Sequence, residues 1–346
     1  MLTAHKKPFR LYWRENYSEK PKAVINAINK AVQISMQNIH LYPGCLYDEV
    51  VELTAKENRL SPNQVILGHG VEGLTHKIAE VFLDKNKSGG IFEPSYFVFN
   101  NNLARTKSVK YPIRYDQKVE FSKFLEQMLD TDVFFLASPN TETGDYLLNK
   151  KQIEEFVKNY KGILIVDECY YGIGNLTVLN LLKKYDNLII LRSITKLMGM
   201  GSLRLGYAMS SPEIINRINY NFREIELDPI NSFSLNIFKK TYKYYDILAR
   251  NLLSFKEQFF AFVSEEFPDH KIYKNVTNFV FLDKGNCKVP TFEILNSLSQ
   301  HGYVYSEKPL TDNSTLHFPE LIELTPPPRE YWKDYVETLK KVLSEK

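Results

Sequence analysis

Short apolar runs alternate with longer helical patterns between residues 60 and 210, and this rhythm restricts the fold more than any other feature of the sequence. The runs lack polar alternation, as is typical of strands covered on both faces of a sheet. They are Gln64–Leu67, Gly90–Phe92, Val133–Leu136, Ile163–Val166, Leu188–Leu191 and Leu205–Ala208. Between them, segments such as Val71–Leu83, Phe121–Leu129 and Lys151–Asn159 space apolar residues three and four positions apart. The alternation predicts an α/β domain with a mostly parallel central sheet flanked by helices.

The flanking segments predict a second, smaller α+β domain. Pro21–Met36 has the pattern of one helix, and Asn231–Glu266 that of one or two long helices. Further predicted elements are the strands Lys271–Tyr273, Phe279–Leu282, Tyr303–Tyr305 and Leu321–Leu324 and the amphipathic helix Arg329–Lys346. We expect residues 1–40 to form an N-terminal arm and helix of the small domain, residues 41–230 the large domain, and residues 231–346 a linking helix and the rest of the small domain.

Charge and composition exclude several classes of protein. The chain has 44 Lys and Arg against 41 Asp and Glu, and the net charge of +3 is too small to indicate a nucleic-acid or membrane partner. Three cysteines without a CxxC pair, and histidines without metal-ligand spacing, favour neither a disulfide framework nor a metal site. The first residues lack the apolar stretch of a secretory signal, and no apolar run approaches about 18 residues. We therefore expect a cytoplasmic protein.

A glycine loop follows the first predicted strand. Gly68-His-Gly-Val-Glu-Gly73 fits GxGxxG, and Glu93 ends the next apolar run. Glycines let a backbone approach a phosphate closely, and a helix N-terminus stabilises its charge. The pattern imitates a dinucleotide fingerprint, but the mechanism serves any phosphate. A phosphorylated ligand is predicted, with an NAD(P)-dependent oxidoreductase as one alternative.

Three later segments carry more chemistry. Asp167 follows a buried apolar run, with Tyr170 three positions on. The next run leads into Ser193-Ile-Thr-Lys196, and Arg204 comes eight residues after the lysine. This ordered set resembles the fold-type I pyridoxal-phosphate enzymes of the aminotransferase class I/II family. Within it, the chain is most similar to the histidinol-phosphate aminotransferase and threonine-phosphate decarboxylase group.

The resemblance extends over nearly the whole chain and implies pyridoxal 5'-phosphate as the cofactor. It runs from Glu15-Asn16 and Leu41-Tyr-Pro43 through Pro94-Ser-Tyr96 to Asn278-Phe279. By this resemblance Lys196 is the Schiff-base lysine, Asp167 the partner of the pyridinium nitrogen and Tyr170 the donor to the ring hydroxyl. A carboxylate beside the nitrogen keeps it protonated, so that the ring can accept electrons, and the lysine amine can then move a proton.

The resemblance also implies the residues that bind the cofactor. Those assigned to the phosphate are Ser193, Arg204 and the loop N–H groups of Val71 and Glu72 beside Gly70. Tyr96 corresponds to the aromatic residue that stacks on the cofactor ring. Tyr42 corresponds to a tyrosine that reaches the site of the neighbouring subunit, which implies a homodimer.

Some positions depart from the family pattern. Thr141 stands where the family has the asparagine that contacts the ring oxygen, which leaves Thr141 or the preceding Asn140 for this contact. Glu323 and Tyr305 align with arginines, and the family holds a substrate carboxylate with the one at position 323. A carboxylate at that position reverses the sign of the charge, and a substrate carboxylate placed against it would be repelled.

Two accounts of the substrate stay open. In one, Arg10, Arg14 or Arg329 supplies the missing anchor; in the other, the substrate presents a hydroxyl or cationic group to Glu323. The predicted substrate-site residues are Tyr17, Tyr42, Tyr305, Glu323 and Arg14.

The resemblance thus implies an aminotransferase that acts on a small, non-standard amino compound, with phosphorylated compounds among the candidates. A lyase or decarboxylase of an amino-acid phosphate is the alternative with the same cofactor, because fold and cofactor do not decide which bond breaks. An oxidoreductase and a non-catalytic relative are the alternatives from other classes.

Overall fold

The computed structural model describes residues 7–104, 106–223 and 230–344. The strands, in chain order, are β1 (Phe9–Arg10), β2 (Val65–Gly68), β3 (Ser88–Glu93), β4 (Lys107–Pro112), β5 (Val133–Ala137), β6 (Ile163–Asp167), β7 (Leu188–Ser193), β8 (Gly206–Met209), β9 (Ile272–Lys274), β10 (Val280–Asp283), β11 (Tyr303–Val304) and β12 (Leu321–Leu324). The α-helices are α1 (Lys22–Gln37), α2 (Gly44–Glu57), α3 (Gly70–Phe82), α4 (Phe97–Leu103), α5 (Phe121–Met128), α6 (Lys150–Asn159), α7 (Pro212–Arg223), α8 (Ser232–Thr241), α9 (Tyr245–Glu266), α10 (Thr291–Gln300) and α11 (Trp332–Ser344).

The chain divides into two compact units. The larger covers Lys20–Leu248, and the smaller combines the described residues up to Glu19 with those from Ala249 onward. This division differs from the predicted bounds at residues 40 and 230, because α1 packs against α8. Ser35 donates its hydroxyl to the carbonyl of Ser232 at 3.2 Å and accepts the amide of Asn236 at 3.0 Å, so both helices belong to the larger unit.

The larger unit is built on a seven-stranded sheet in the order β2-β8-β7-β6-β5-β3-β4. Strand β8 is antiparallel to β2 and β7, and all other pairs are parallel. The predicted α/β fold with a mostly parallel sheet is confirmed. The edge strand β4 was not predicted, because Lys107, Ser108 and Lys110 are exposed and interrupt any apolar run.

Both faces of this sheet are covered. Every residue of β5 is buried, and β6 and β7 are buried except at single terminal residues. On one side, Phe92, Phe124, Phe134 and Phe156 pack with centroids 4.9–5.6 Å apart. On the other, α3 contributes Leu74 and Ile78 to a cluster that lines Ile165, Ile189 and Leu191. Backbone groups so far from water must pair within the sheet, which fixes its register.

The smaller unit has an α+β core, as predicted. Strands β9, β10 and β12 form an antiparallel sheet in the order β12-β10-β9, and β1 pairs in parallel with β11. The buried side chains include Phe259 of α9, Tyr303 of β11 and Leu339 of α11. Strand β1 thus ties the N-terminal arm to the C-terminal part of the chain. Within the described residues, no helix has both the length and the apolar character needed to cross a membrane.

Candidate active site

The predicted cofactor residues of the larger unit collect at one edge of its sheet. Tyr96 follows β3, Thr141 follows β5, Asp167 ends β6, and Ser193 ends β7. These parallel strands have their carboxyl ends at the same edge, where open α/β sheets bind ligands. Strands β2 and β7 are both antiparallel to β8, so they run in the same direction. The glycine loop after β2 therefore lies at this edge as well.

Asp167 is a buried carboxyl group at the centre of this edge. Its exposed fraction is 1%, and the backbone N–H of Cys169 donates to Oδ1 at 2.8 Å. Desolvation raises the pKa of Asp167 to about 7, against the hydrogen bonds from Cys169 and the nearby positive charge of Lys196, which lower it. A carboxylate in this environment is stabilised by a cationic or hydrogen-bond-donating partner.

Lys196 reaches the same region by a tight turn after β7. Ser193 Oγ accepts the backbone N–H of Thr195 at 3.0 Å and donates to Thr195 Oγ1 at 2.9 Å. Lys196 Nζ lies 5.8 Å from the ring centre of Tyr170, which is almost fully buried. The structure thus brings together the lysine, aspartate and tyrosine that were predicted from their order in the sequence.

The glycine loop forms a cradle at the N-terminus of α3. His69 gives this helix no side-chain cap, and Gly70 adopts φ = +68°. A Cβ on Gly70 would lie 3.3 Å from Arg204 Nη2, and one on Gly206 would lie 2.9 Å from the carbonyl carbon of Gly70. The backbone at Gly70 and Gly206 and the guanidinium of Arg204 therefore lie so close together that only glycine fits at these two positions. Helix N–H groups and an arginine fork are the donors that a phosphate requires.

Glu72 has a contact that was not predicted. Its carboxylate pairs with Arg204 Nη2 at 2.6 Å and accepts the hydroxyl of Tyr96 at 2.7 Å. The prediction assigned Glu72 only a backbone role beside Val71. Its side chain links the arginine of the cradle to the aromatic ring expected to stack on the cofactor. Nothing in the local sequence signals this link, because Arg204 is 132 positions away.

Asn140 and Thr141 have different local roles. The side chain of Asn140 closes a turn: Oδ1 accepts the N–H groups of Glu142 at 2.9 Å and Thr143 at 3.0 Å, and Nδ2 donates to the carbonyl of Pro94 at 3.1 Å. Thr141 Oγ1 donates to Glu142 Oε1 at 3.1 Å. Both residues thus have local hydrogen bonds, and which of them contacts the ring oxygen of the cofactor stays a prediction.

The negative charge that Glu323 brings to this position is offset by Arg14, which pairs with it within the smaller unit. Arg14 Nε donates to Glu323 Oε1 at 2.9 Å and Nη2 donates to Oε2 at 2.7 Å, so the pair is bidentate. The side chains are 13% and 19% exposed. The guanidinium also lies over the ring of Phe279, 4.4 Å from its centre, and Asn278 Nδ2 donates to the carbonyl of Arg14 at 2.9 Å. Sequence reasoning named both residues but not their pairing, since they are 309 positions apart.

The other predicted substrate residues have separate surroundings. Tyr305 shares a hydrogen bond with the hydroxyl of Tyr335, and desolvation holds the pKa of Tyr305 well above its usual value. Tyr17 donates to Glu15 at 2.6 Å. Arg10 also pairs with Glu15, and Arg329 lies over the ring of Trp332.

Tyr42, in the larger unit, is 92% exposed. Glu93, the residue that imitates a dinucleotide fingerprint, pairs with Lys110 of β4 at 3.3 Å.

The sequence profile of the aminotransferase class I and II family matches residues 12–225, more than half of the chain. The chain belongs to this family. A histidinol-phosphate aminotransferase from Thermoanaerobacter sp. (strain X514) is 27% identical over 292 residues, which cover 80% of each chain.

Two solved structures are similar in fold. The histidinol-phosphate aminotransferase of Sinorhizobium meliloti, in complex with pyridoxal-5'-phosphate, aligns with a TM-score of 0.78 at 17% identity over 98% of this chain and 91% of that one. The L-threonine-O-3-phosphate decarboxylase of Porphyromonas gingivalis aligns with a TM-score of 0.74 at 16% identity over 96% and 100%.

The protein is thus a pyridoxal-phosphate-dependent enzyme of the class I and II aminotransferases, and its cofactor is pyridoxal 5'-phosphate. The residues at the sheet edge fit this cofactor. The glycine cradle and Arg204 suit its phosphate, the buried carboxyl group of Asp167 suits a protonated ring nitrogen, and Lys196 has a side-chain amine in the same region. Because the chain belongs to this family of enzymes, the oxidoreductase and the non-catalytic relative are no longer alternatives.

Asp167 should make the stability of the cofactor-free protein depend on pH. Its pKa is about 7 in the folded protein, against about 3.9 in an unfolded chain. The folded state therefore binds this proton more tightly, and the free energy of unfolding should fall by about 3 kcal/mol as pH rises from about 4 to about 7. Urea unfolding of wild type and Asp167→Asn across this range isolates the effect. The wild type should lose stability relative to the variant as pH rises. If the free energies of unfolding of the two proteins change in parallel with pH, the pKa of Asp167 is not raised.

Proposed function

We propose that the enzyme transfers an amino group to or from a small, phosphorylated amino compound through Lys196. The observation that carries this proposal is the convergence of Lys196, Asp167 and the cradle of Gly70 and Arg204 at one sheet edge in a member of this family. When bound, the cofactor supplies an electron sink that stabilises negative charge on the carbon next to the substrate's amino group.

Each residue at the edge has a defined task in this proposal. The Asp167 carboxylate holds the proton on the ring nitrogen, because a buried carboxylate gains most from a cationic partner. Lys196 Nζ binds the cofactor and moves the proton at the substrate carbon. Tyr170 and Thr141 orient the ring oxygen of the cofactor. Tyr96 stacks on the cofactor ring, and its hydroxyl is held by a hydrogen bond to Glu72. Ser193, Arg204 and the N–H groups of Val71 and Glu72 bind the phosphate.

Two observations support the substrate class. The relatives are named for phosphorylated compounds, histidinol phosphate and threonine phosphate. In addition, Arg14 lies against the carboxylate that occupies the position of the family's substrate-binding arginine. In this proposal Arg14 supplies the cation for an anionic substrate group, and Glu323 holds its guanidinium in place.

A decarboxylase is the second candidate, favoured by the fold similarity to the threonine-phosphate enzyme. The two reactions differ in what happens to the cofactor. A half-reaction with the amino donor alone leaves a transaminase with the amine form of the cofactor, whereas a decarboxylase releases carbon dioxide and returns the aldehyde form.

A homodimer is also part of the proposal. Met36, Ile39, Leu41 and Tyr42 are large apolar side chains that lie within seven positions of each other, and each is more than half exposed. A run of exposed apolar residues of this kind favours contact with a partner. A second copy of the chain, with Tyr42 contributing to its site, is the partner that the family resemblance implies.

Lys196→Ala should lower turnover by about 100- to 10,000-fold, the scale of a lost acid–base group, while the fold is retained. A screen of histidinol phosphate, threonine phosphate and their dephosphorylated forms, followed by cofactor absorbance, measures both activity and substrate class. Lys158→Ala, an exposed position in the last turn of α6, is the control. Borohydride should label Lys196 in the wild type. Labelling of another lysine, or equal use of the dephosphorylated compounds, would contradict the proposal.

Arg14→Gln should weaken binding of an anionic substrate by about 1.5–3 kcal/mol, the range for a hydrogen bond to a charged group. Glu323→Gln keeps an acceptor for Arg14 and should change that affinity by less than about 1 kcal/mol. Spectral titration of the bound cofactor gives both affinities, and thermal unfolding shows whether either variant is damaged. If Glu323→Gln causes the larger loss, the carboxylate itself is the ligand and the substrate presents a cationic or hydroxyl group.

Mixing Tyr42→Phe protein with Lys196→Ala protein should restore activity above that of either alone. Each hybrid dimer would contain one site with both native residues, provided that Tyr42 serves the opposite subunit. Sedimentation of each parent should give the dimer mass. An active monomer, or mixtures no more active than their parents, would argue against a shared site.

A further inference from the structure

A second charged cluster lies buried at the end of β6 and β7, and none of the tasks above uses it. Arg192 Nε and Nη2 donate to Glu168 Oε2 at 3.0 and 2.8 Å, and Nη1 donates to Asn58 Oδ1 at 2.7 Å. Thr177 Oγ1 donates to both oxygens of Glu168 and accepts from Arg192, each at 2.9 Å. The side chains of Arg192 and Glu168 are 3% and 0% exposed. We call Arg192, Glu168, Asn58 and Thr177 the Arg192 cluster.

The cluster joins segments that are distant in sequence. Asn58 is the C-terminal cap of α2, Thr177 lies in the loop after β6, and Arg192 pairs with Tyr207 of β8. The ring of Tyr171 covers the guanidinium, with its centre 3.4 Å from Cζ. The guanidinium of Arg192 and the carboxylate of Glu168 are thus held by hydrogen bonds from three separate segments of the chain.

The cluster is also adjacent to the cofactor residues along the backbone. Glu168 follows Asp167, and Arg192 precedes Ser193. Side chains alternate between the faces of a strand, so Arg192 points to the face opposite Ser193. The N–H of Glu168 donates to the carbonyl of Leu191 at 2.8 Å, which extends the pairing of the two strands to their ends. A Cβ on Gly206 would lie 3.0 Å from the carbonyl of Arg192 as well as against Gly70, so the cluster also adjoins the phosphate cradle.

A buried ion pair adds little to the free energy of unfolding compared with apolar side chains of similar size. Removing two charges from water costs several kcal/mol per ion, and well-packed apolar residues often stabilise a core as well or better. What the pair does provide is a single geometry, because the planar guanidinium donates two hydrogen bonds to Glu168 Oε2 and a third to Asn58 and can satisfy them together in only a narrow range of positions.

We propose that Glu168 and Arg192 are positioning residues for the cofactor: they fix the ends of β6 and β7, and through them the carboxylate of Asp167 and the turn from Ser193 to Lys196. Neither side chain touches the cofactor in this proposal. The inference depends on membership of the family and not on the identity of the substrate.

The test separates positioning from stability by comparing three variants. Glu168→Gln keeps an oxygen for Thr177 and for the N–H of Val178 but leaves the Arg192 charge without its counter-ion. The double variant Glu168→Gln/Arg192→Met removes both charges and should recover stability toward wild type. Phe156→Leu, which loosens the packing of α6 against Phe124 and Phe134, is the control for stability alone.

Cofactor affinity and the pH titration of the bound cofactor's absorbance are measured at urea concentrations that give each protein the same unfolded fraction. We expect both Glu168 variants to bind the cofactor about 10- to 100-fold more weakly, the scale of a misplaced binding group, and to shift the titration midpoint. Phe156→Leu should show neither change. If affinity returns in the double variant along with stability, or if the control loses as much, the cluster is structural only and the proposal fails.

Thr177→Val provides the same comparison in a milder form if the charged variants do not fold. It removes one hydroxyl and keeps both charges. We expect a loss of cofactor affinity of about threefold to tenfold, because the hydroxyl that bonds both members of the ion pair is lost while the pair itself remains. Wild-type affinity and an unchanged titration midpoint would overturn the proposal.

Discussion

The pairing of β6 between β5 and β7 is the constraint on which the candidate site depends. Asp167 lies in register with Ala137 on one side and Leu191 on the other. Because these strands are buried on both faces, a slip of one residue would leave polar backbone groups unpaired and turn apolar side chains outward. The carboxyl ends of β5, β6 and β7 are therefore aligned. The loops that follow these strands place Thr141, Tyr170 and Lys196 at the same edge of the sheet.

Two consecutive acidic residues at the end of β6 have opposite electrostatic situations. Glu168 is buried and has its counter-charge inside the protein, in Arg192. Asp167 is buried beside Lys196, yet desolvation still dominates and raises its pKa. The charge of Glu168 is therefore balanced within the folded chain, whereas Asp167 keeps a net cost of desolvation. The contrast arises because Glu168, the first residue after β6, contacts Arg192 and Thr177, and Asp167 contacts neither of them.

The sequence predicted those parts of the fold and site that depend on local patterns. Uninterrupted apolar runs identified β2, β3 and β5 to β8, and the order of Asp167, Tyr170, Lys196 and Arg204 pointed to the cofactor. The exposed edge strand β4 carries lysines and lacked such a signal.

Features that depend on tertiary contacts could not be predicted from the sequence. The packing of α1 on α8 places the division between the units at other residues than those predicted. The pairs Arg14–Glu323 and Arg204–Glu72 join residues that are far apart in the chain. At Glu323 the residue type indicated a negative charge but not its counter-charge, because the partner Arg14 lies in the N-terminal arm.

The pairing of Arg204 with Glu72 affects which anions the cradle can bind. A lone arginine at a helix N-terminus would collect any small anion, and inorganic phosphate is such an anion. The carboxylate of Glu72 lies 2.6 Å from the guanidinium and offsets part of its positive charge. A free phosphate ion would therefore compete with Glu72 for Arg204. In the proposed arrangement, the cofactor also brings an aromatic ring for Tyr96 and a cationic nitrogen for Asp167. We therefore expect Glu72 to weaken the binding of simple anions more than that of the cofactor.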